Sequence, residues 1–174
     1  MRTLLAVLAL IMLAGTSQSM IAQDQAVPDN TTIPNVKVKT LDGAVVETAT
    51  LGTTQKPVVI SFWATWCKPC LVELQTYHDL YQDWKDELGV EIVAVSIDDS
   101  RNARKVPAFA KGRAWEFMVL LDENQDFKRA MNVNNVPHTF IVQNGRVVWS
   151  HSAFAPGDED DIEAELRKLV TGVE

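Results

Sequence analysis

Cys67 and Cys70 are the only cysteines in the 174-residue chain, and just Lys68 and Pro69 separate them. They follow an apolar, β-branched run that ends in two tryptophans, Val58-Val-Ile-Ser-Phe-Trp-Ala-Thr-Trp66, and they open a long helical pattern. A pair this close, at the start of a helix, can open and close as a disulfide without large backbone movement. That is the layout of a dithiol redox site. Other uses fit less well. A structural bridge closing so short a loop removes little chain entropy. A zinc knuckle usually needs four ligands, and His78, His138 and His151 have no ligand-like spacing to the pair, so no metal is expected.

Position assigns different work to each cysteine. Cys67 is expected to be the attacking thiol, because unpaired N–H groups and the positive dipole end at a helix N-terminus stabilise a thiolate. Lys68 adds a nearby cation that could lower the thiol pKa, although salt screens an exposed charge. Cys70 falls one turn further in, on the apolar face, as the resolving thiol. Pro69 suits a first helical turn, where its missing N–H costs nothing. With Cys70 at zero and about 100° per residue, Glu73 lies near −60°, between Leu80 near −80° and Trp84 near −40°. A carboxyl flanked by those two is expected to be partly buried. Its pKa is then raised, which makes a proton shuttle usable near neutrality. Trp66 is a candidate apolar lip for partner contact, and Trp63 a core residue. His138 and His78 read as structural.

The elements that hold these residues follow from periodicity. Val58–Phe62 reads as a buried strand. Pro69–Leu88 is the best helix, with Cys70, Leu74, Tyr77, Tyr81, Trp84 and Leu88 on one face, and Gly89 stops it. Before them, Val36–Val38, a turn at Asp42-Gly43 and Val45-Val46 suggest a hairpin. After them come a strand at Glu91–Ile97 and a weaker helix at Ser100–Lys111, with Pro107 inside the pattern. An extended stretch at Phe117–Leu121 and a short helix at Gln125–Met131 follow. Asn144-Gly145 between Thr139–Val142 and Arg146–Ser150 is a strong hairpin signal. A final helix spans Asp158–Val170. Parallel strands joined by a helix, closed by a hairpin and a helix, give an α/β domain with a mixed sheet covered on both faces. Asp98-Asp99, after the second parallel strand, read as solvated loop acids.

The N-terminus reads as a secretory signal over residues 1–22, with an uncleaved anchor as the alternative. Arg2 precedes an apolar run, Leu4–Ala14, too short to span a bilayer, and then small and polar residues. Residues 23–35 read as a polar linker and residues 36–174 as one domain. The chain has 16 Lys and Arg against 23 Asp and Glu, a formal charge of −7; without Arg2 it is −8. That excess argues against nucleic acid or anionic lipid as a partner.

Phe62-Trp-Ala-Thr-Trp-Cys-Lys-Pro-Cys70 resembles the active-site segment of the thioredoxin superfamily, and Val136-Pro-His-Thr-Phe140 resembles its second landmark. The resemblance covers about residues 36–170. It implies a thioredoxin-like fold with an N-terminal hairpin extension, and a cis Pro137 that brings Val136 to the sulfurs to pair with substrate. Glu73, three residues after Cys70, and the exported setting are similar to the TlpA/ResA-type thiol-disulfide oxidoreductases, a group that includes cytochrome c maturation proteins. One departure stands out. Cytosolic thioredoxins carry a buried aspartate six residues before the first cysteine, and here that position is Ser61. Glu73 is left as the acid near the dithiol.

The expected function is an exported thiol-disulfide oxidoreductase that reduces protein disulfides. It would need no cofactor beyond the Cys67–Cys70 disulfide, depend on a membrane electron donor, and act as a monomer. The alternatives are a disulfide oxidase or isomerase, a thioredoxin-fold peroxidase, or a non-enzymatic binding module.

Overall fold

The computed structural model describes residues 30–172, so the expected signal segment lies outside the described residues. Seven strands form one mixed sheet: β1 (Lys37–Thr40), β2 (Val45–Glu47), β3 (Val58–Trp63), β4 (Glu91–Ser96), β5 (Met118–Leu121), β6 (His138–Gln143) and β7 (Arg146–Ser152). Their order across the sheet is β2-β1-β5-β4-β3-β6-β7. β3, β4 and β5 run parallel at its centre. Hairpins close both edges, β1–β2 on one side and β6–β7 on the other. The fold is thioredoxin-like with an N-terminal hairpin extension.

Successive strand residues point to opposite faces, and β3 shows what covers each. Ser61 meets α1 (Lys68–Leu88), and Trp63 packs on Phe109 of α2 (Val106–Gly112). Phe62, between them, faces the other way, onto Phe127 of α3 (Asp126–Ala130) and Phe140. All six residues of β3 are buried, which is why the run is continuously apolar apart from Ser61. The last helix, α4 (Asp158–Thr171), lies beside α1. Trp84 Nε1 donates to Glu163 there at 3.0 Å, and Arg167 bridges Glu163 and Glu87.

α1 buries Cys70, Glu73, Leu74, Tyr77, Tyr81, Trp84 and Leu88, the apolar stripe with the carboxyl included. It ends at Gly89, whose φ of 67° lies in the left-handed region that glycine enters without steric cost.

Two expectations change. Pro107 does not interrupt a helix. Ala103–Lys105 forms a 3-10 turn, and Pro107 sits in the first turn of α2, where its missing N–H is harmless. The described end of the expected linker is also paired. Asn30 and Ile33 donate to Val147 and Gly145, Thr32 bridges Arg146, and Ile33 is buried. Polar composition concealed this, because a short edge pairing uses backbone groups and a single apolar anchor. Among the described residues no helix is long and apolar enough to cross a membrane.

Candidate active site

The chain leaves β3 at Trp63 and turns through Ala64-Thr65-Trp66 into Cys67, the N-cap of α1. Cys67 and Cys70 are joined as a disulfide. The Cys70 N–H points at Cys67 Sγ, 3.3 Å away. A first-turn N–H thus already addresses Cys67 Sγ, a placement that would stabilise a thiolate there. Cys70 is fully buried and Cys67 lies at the surface edge of the core. Lys68 and Pro69 are exposed, and Trp66 is 65% exposed, so the rim around Cys67 is open to a partner.

On the other side of the sulfurs lies the loop into β6. The Val136–Pro137 peptide bond is cis, and the Val136 carbonyl oxygen stands 3.6 Å from Cys67 Sγ. The Ala153 N–H holds the Pro137 carbonyl at 3.0 Å, which ties this loop to the end of β7. Pro69, Val136, Pro137, Ala153 and Phe154 line a groove of about 370 Å³ beside the dithiol.

Glu73 sits one turn below Cys70 on the same face, fully buried. Ser61 donates to its Oε2 at 2.6 Å, while Thr139 and Tyr77 donate to its Oε1 at 2.8 and 3.2 Å. Ser61 and Thr139 are register partners on β3 and β6, so two strands offer their hydroxyls side by side under the helix. Burial pushes the Glu73 carboxyl up from its ordinary value of 4.5 to about 7, against the pull of the three hydroxyls. Burial and the adjacent Glu73 push the Tyr77 phenol further up still, so it stays a hydrogen-bond donor.

The helical wheel places Glu73 on the correct side of α1 but underestimates its depth. It does not show the cage, and Ser61 stands in the sequence only as the position where cytosolic thioredoxins carry an aspartate. Tyr77, four residues after Glu73 on one helix face, is the part of the cage that spacing reveals. Asp98 is a second residue that sequence reading undervalued. It is not a solvated loop acid but buried. It accepts from the Thr65 N–H at 2.9 Å, from the Thr65 hydroxyl at 2.7 Å and from Ser96 at 2.9 Å. Its signal was position: it follows the strand parallel to the one that carries the active-site loop. His138 is buried with its ring stacked on Phe140, 4.4 Å between centroids, and His78 makes an edge contact with Phe117. No group of three or more His, Cys, Asp and Glu among the described residues is placed to hold a metal ion.

The comparisons agree with this geometry. Residues 30–150 match the AhpC/TSA family. The chain belongs to that family, in its thioredoxin-like form. Among curated relatives, the thiol-disulfide oxidoreductase ResA of Bacillus subtilis (strain 168) is 32% identical over 131 residues, covering 75% of this chain and 70% of that protein. Two solved structures carry the fold. An uncharacterized thioredoxin-like protein from Porphyromonas gingivalis is 47% identical with a TM-score of 0.73, covering 83% of this chain and 97% of that one. A putative thiol:disulfide interchange protein DsbE from Chlorobium tepidum is 25% identical with a TM-score of 0.72, covering 83% and 99%. This member of the family is a thiol-disulfide oxidoreductase with a Cys67–Cys70 dithiol.

Proposed function

We propose that the protein works in the reductive direction, on disulfides of protein substrates outside the cytoplasm. The observation that carries the exchange chemistry is Glu73, a buried carboxyl one turn from the resolving cysteine in a cage of three hydroxyls, and Pro69 in the second intervening position, as in reducing thioredoxins, favours the reductive direction. Reduction needs a place for the Cys70 proton. Cys67 thiolate attacks a substrate sulfur, the substrate disulfide breaks, and the first substrate thiolate leaves. Cys70 then passes its proton to the Glu73 carboxylate, and its thiolate attacks Cys67 Sγ. That step closes the intramolecular disulfide and expels the second substrate thiolate. Substrate gains two electrons and the dithiol loses two, with no cofactor. With a pKa of about 7, Glu73 is available in both protonation states near neutrality.

Trp66 and the Val136–Pro137 backbone contact the substrate in this reading, and Lys68 favours the Cys67 thiolate. The signal-like N-terminus supports export. An exported dithiol must be recharged, so a membrane electron donor is the second partner. The ResA and DsbE likenesses fit a role in cytochrome c maturation. Equilibration with glutathione buffers tests the direction. The expected potential lies nearer the roughly −270 mV of thioredoxin than the roughly −120 mV of the strong oxidant DsbA. A value near the latter would replace the reductase with an oxidase.

A further inference from the structure

We propose that the segment between β4 and β5 is a cationic docking surface for an acidic stretch of a protein partner, one that presents its disulfide to Cys67. The proposal rests on the reductive reading above. Residues 101–113 carry five cations, Arg101, Arg104, Lys105, Lys111 and Arg113, and no acid. The whole chain has a formal charge of −7, so taking these five away leaves −12 on the remainder. Four of the five are exposed and Arg113 is half-buried. None of them forms a close ion pair among the described residues, as Lys56, Lys128 and Arg146 elsewhere also do not, and Arg101 acts electrostatically on the neighbouring Asp99, whereas Lys37, Lys39, Lys85, Arg129, Arg167 and Lys168 are paired. Lys105 reaches only Asn102, and Arg113 lies over the Phe109 ring.

A run of like charge is often just a solvated face. Placement argues otherwise here. β3 and β4 are parallel, with Trp63 opposite Ser96, so both strands release the chain at the same end of the sheet. Ile97 N–H donates to the Trp63 carbonyl, and Asp98 clamps Thr65. Arg101 comes three residues after Asp98, at most about 10 Å of chain. Cys67 comes two residues after Thr65. The basic segment therefore begins beside the loop that carries Trp66 and Cys67. α2 is pinned to β3 by Phe109 on Trp63, Trp115 after it packs on the same ring, and Arg113 arrives beside Leu71, Val72 and the acid Asp79. Lys68 adds another exposed cation next to Cys67.

The apolar contact residues at this end are themselves exposed, Trp66 at 65% and Val72 at 48%. An exposed aromatic anchor with charge at its rim is the arrangement that protein interfaces use for affinity and for steering respectively. The sign decides the partner. A local positive field on an otherwise negative molecule attracts an acidic segment and orients it toward the dithiol. A flat anionic membrane would also meet the negative remainder.

Two disulfide-bonded peptides test this, with the same cystine and either acidic or basic flanks. Their kcat/KM is compared from about 0.01 M salt, where charges reach about 30 Å, to about 1 M, where they reach about 3 Å. The acidic peptide is expected to be favoured about tenfold at low salt, with the preference gone at high salt. Combining Arg101→Glu, Arg104→Glu and Lys105→Glu inverts the preference. If that variant fails to fold by circular dichroism, Arg104→Glu alone gives a smaller shift of the same sign. Reduction of both peptides at equal kcat/KM across the salt range overturns the docking surface and leaves the reductase reading standing. If neither peptide is reduced, the reductase reading falls, and anisotropy titration of the same peptides onto the oxidised protein decides the surface. Tighter acidic binding that is lost in the variant upholds it, and equal binding overturns it. Binding to phosphatidylglycerol vesicles with no preference between the peptides assigns the segment to a membrane and overturns the proposal.

Discussion

Glu73 and Asp98 are both buried carboxyl groups at the active-site end of the sheet, and each accepts three hydrogen bonds. They differ in who donates. Glu73 is held by the hydroxyls of Ser61, Tyr77 and Thr139 alone. Asp98 is held by two hydroxyls and the backbone N–H of Thr65, and its own N–H donates to Ser96 Oγ at 3.2 Å. A hydroxyl can rotate to donate or accept, so the Glu73 cage stays satisfied whether or not the carboxyl carries a proton. A backbone N–H only donates, which ties Asp98 to one arrangement. In the proposed mechanism the first acid exchanges a proton behind Cys70. The second is built to fix the loop in front of Cys67.

That division can be broken from either side. The largest effect on the fold is expected from Asp98→Ala. It strands the Thr65 N–H and two hydroxyls, which costs about 3 kcal/mol of stability in urea denaturation. It should lower the reduction rate by loosening Cys67, while the midpoint of the pH–rate profile stays in place. A shifted midpoint would show that Asp98 takes part in proton exchange and would merge the two roles.

Glu73→Gln keeps the size and most of the hydrogen bonds but carries no proton. The rate of disulfide reduction near pH 7 is expected to fall about a hundredfold, and its pH dependence near 7 to flatten, in stopped-flow exchange with a substrate disulfide. Stability should change in the opposite sense. The folded Glu73 pKa is raised from 4.5 to about 7, so its contribution is complete below about 4.5 and is lost as pH rises through 7. Relative to the variant, the parent should lose on the order of 3 kcal/mol across that window. Parallel stability curves for the two proteins would remove Glu73 from the titration.

Ser61→Ala sharpens the comparison with the smallest change. Ser61 lowers the Glu73 pKa by donating to the carboxylate. Without it the pH–rate midpoint should move up by about one unit, equivalent to about 1.4 kcal/mol. A downward move would contradict the cage.

Much of this was legible in the residues. The WCxxC segment, the buried β3 run and the stripe on α1 each repeat one local signal several times over, and Asn144-Gly145 fixes its hairpin because the turn needs positive φ, observed at 53° and 73°. The helical wheel put Glu73 on the inner face. The rest depended on distant pairings. Thr139 reaches Glu73 across 66 positions, and Asp98 reaches Thr65 across 33. A single sequence states no such register. Pro107 misled because a helix-breaking residue is harmless once the helix begins beside it. Residues 30–34 misled because backbone pairing leaves no mark in composition.

The most direct test of the account is the titration of Glu73 itself. Carboxyl carbon-13 NMR on the oxidised protein, with Glu73→Gln to assign the signal, reads its protonation without reference to activity. A midpoint near 7 is expected. A midpoint near the ordinary value of 4.5 would mean that Glu73 is already a carboxylate throughout the working range. The cage around it would then be structural rather than a device for passing the Cys70 proton.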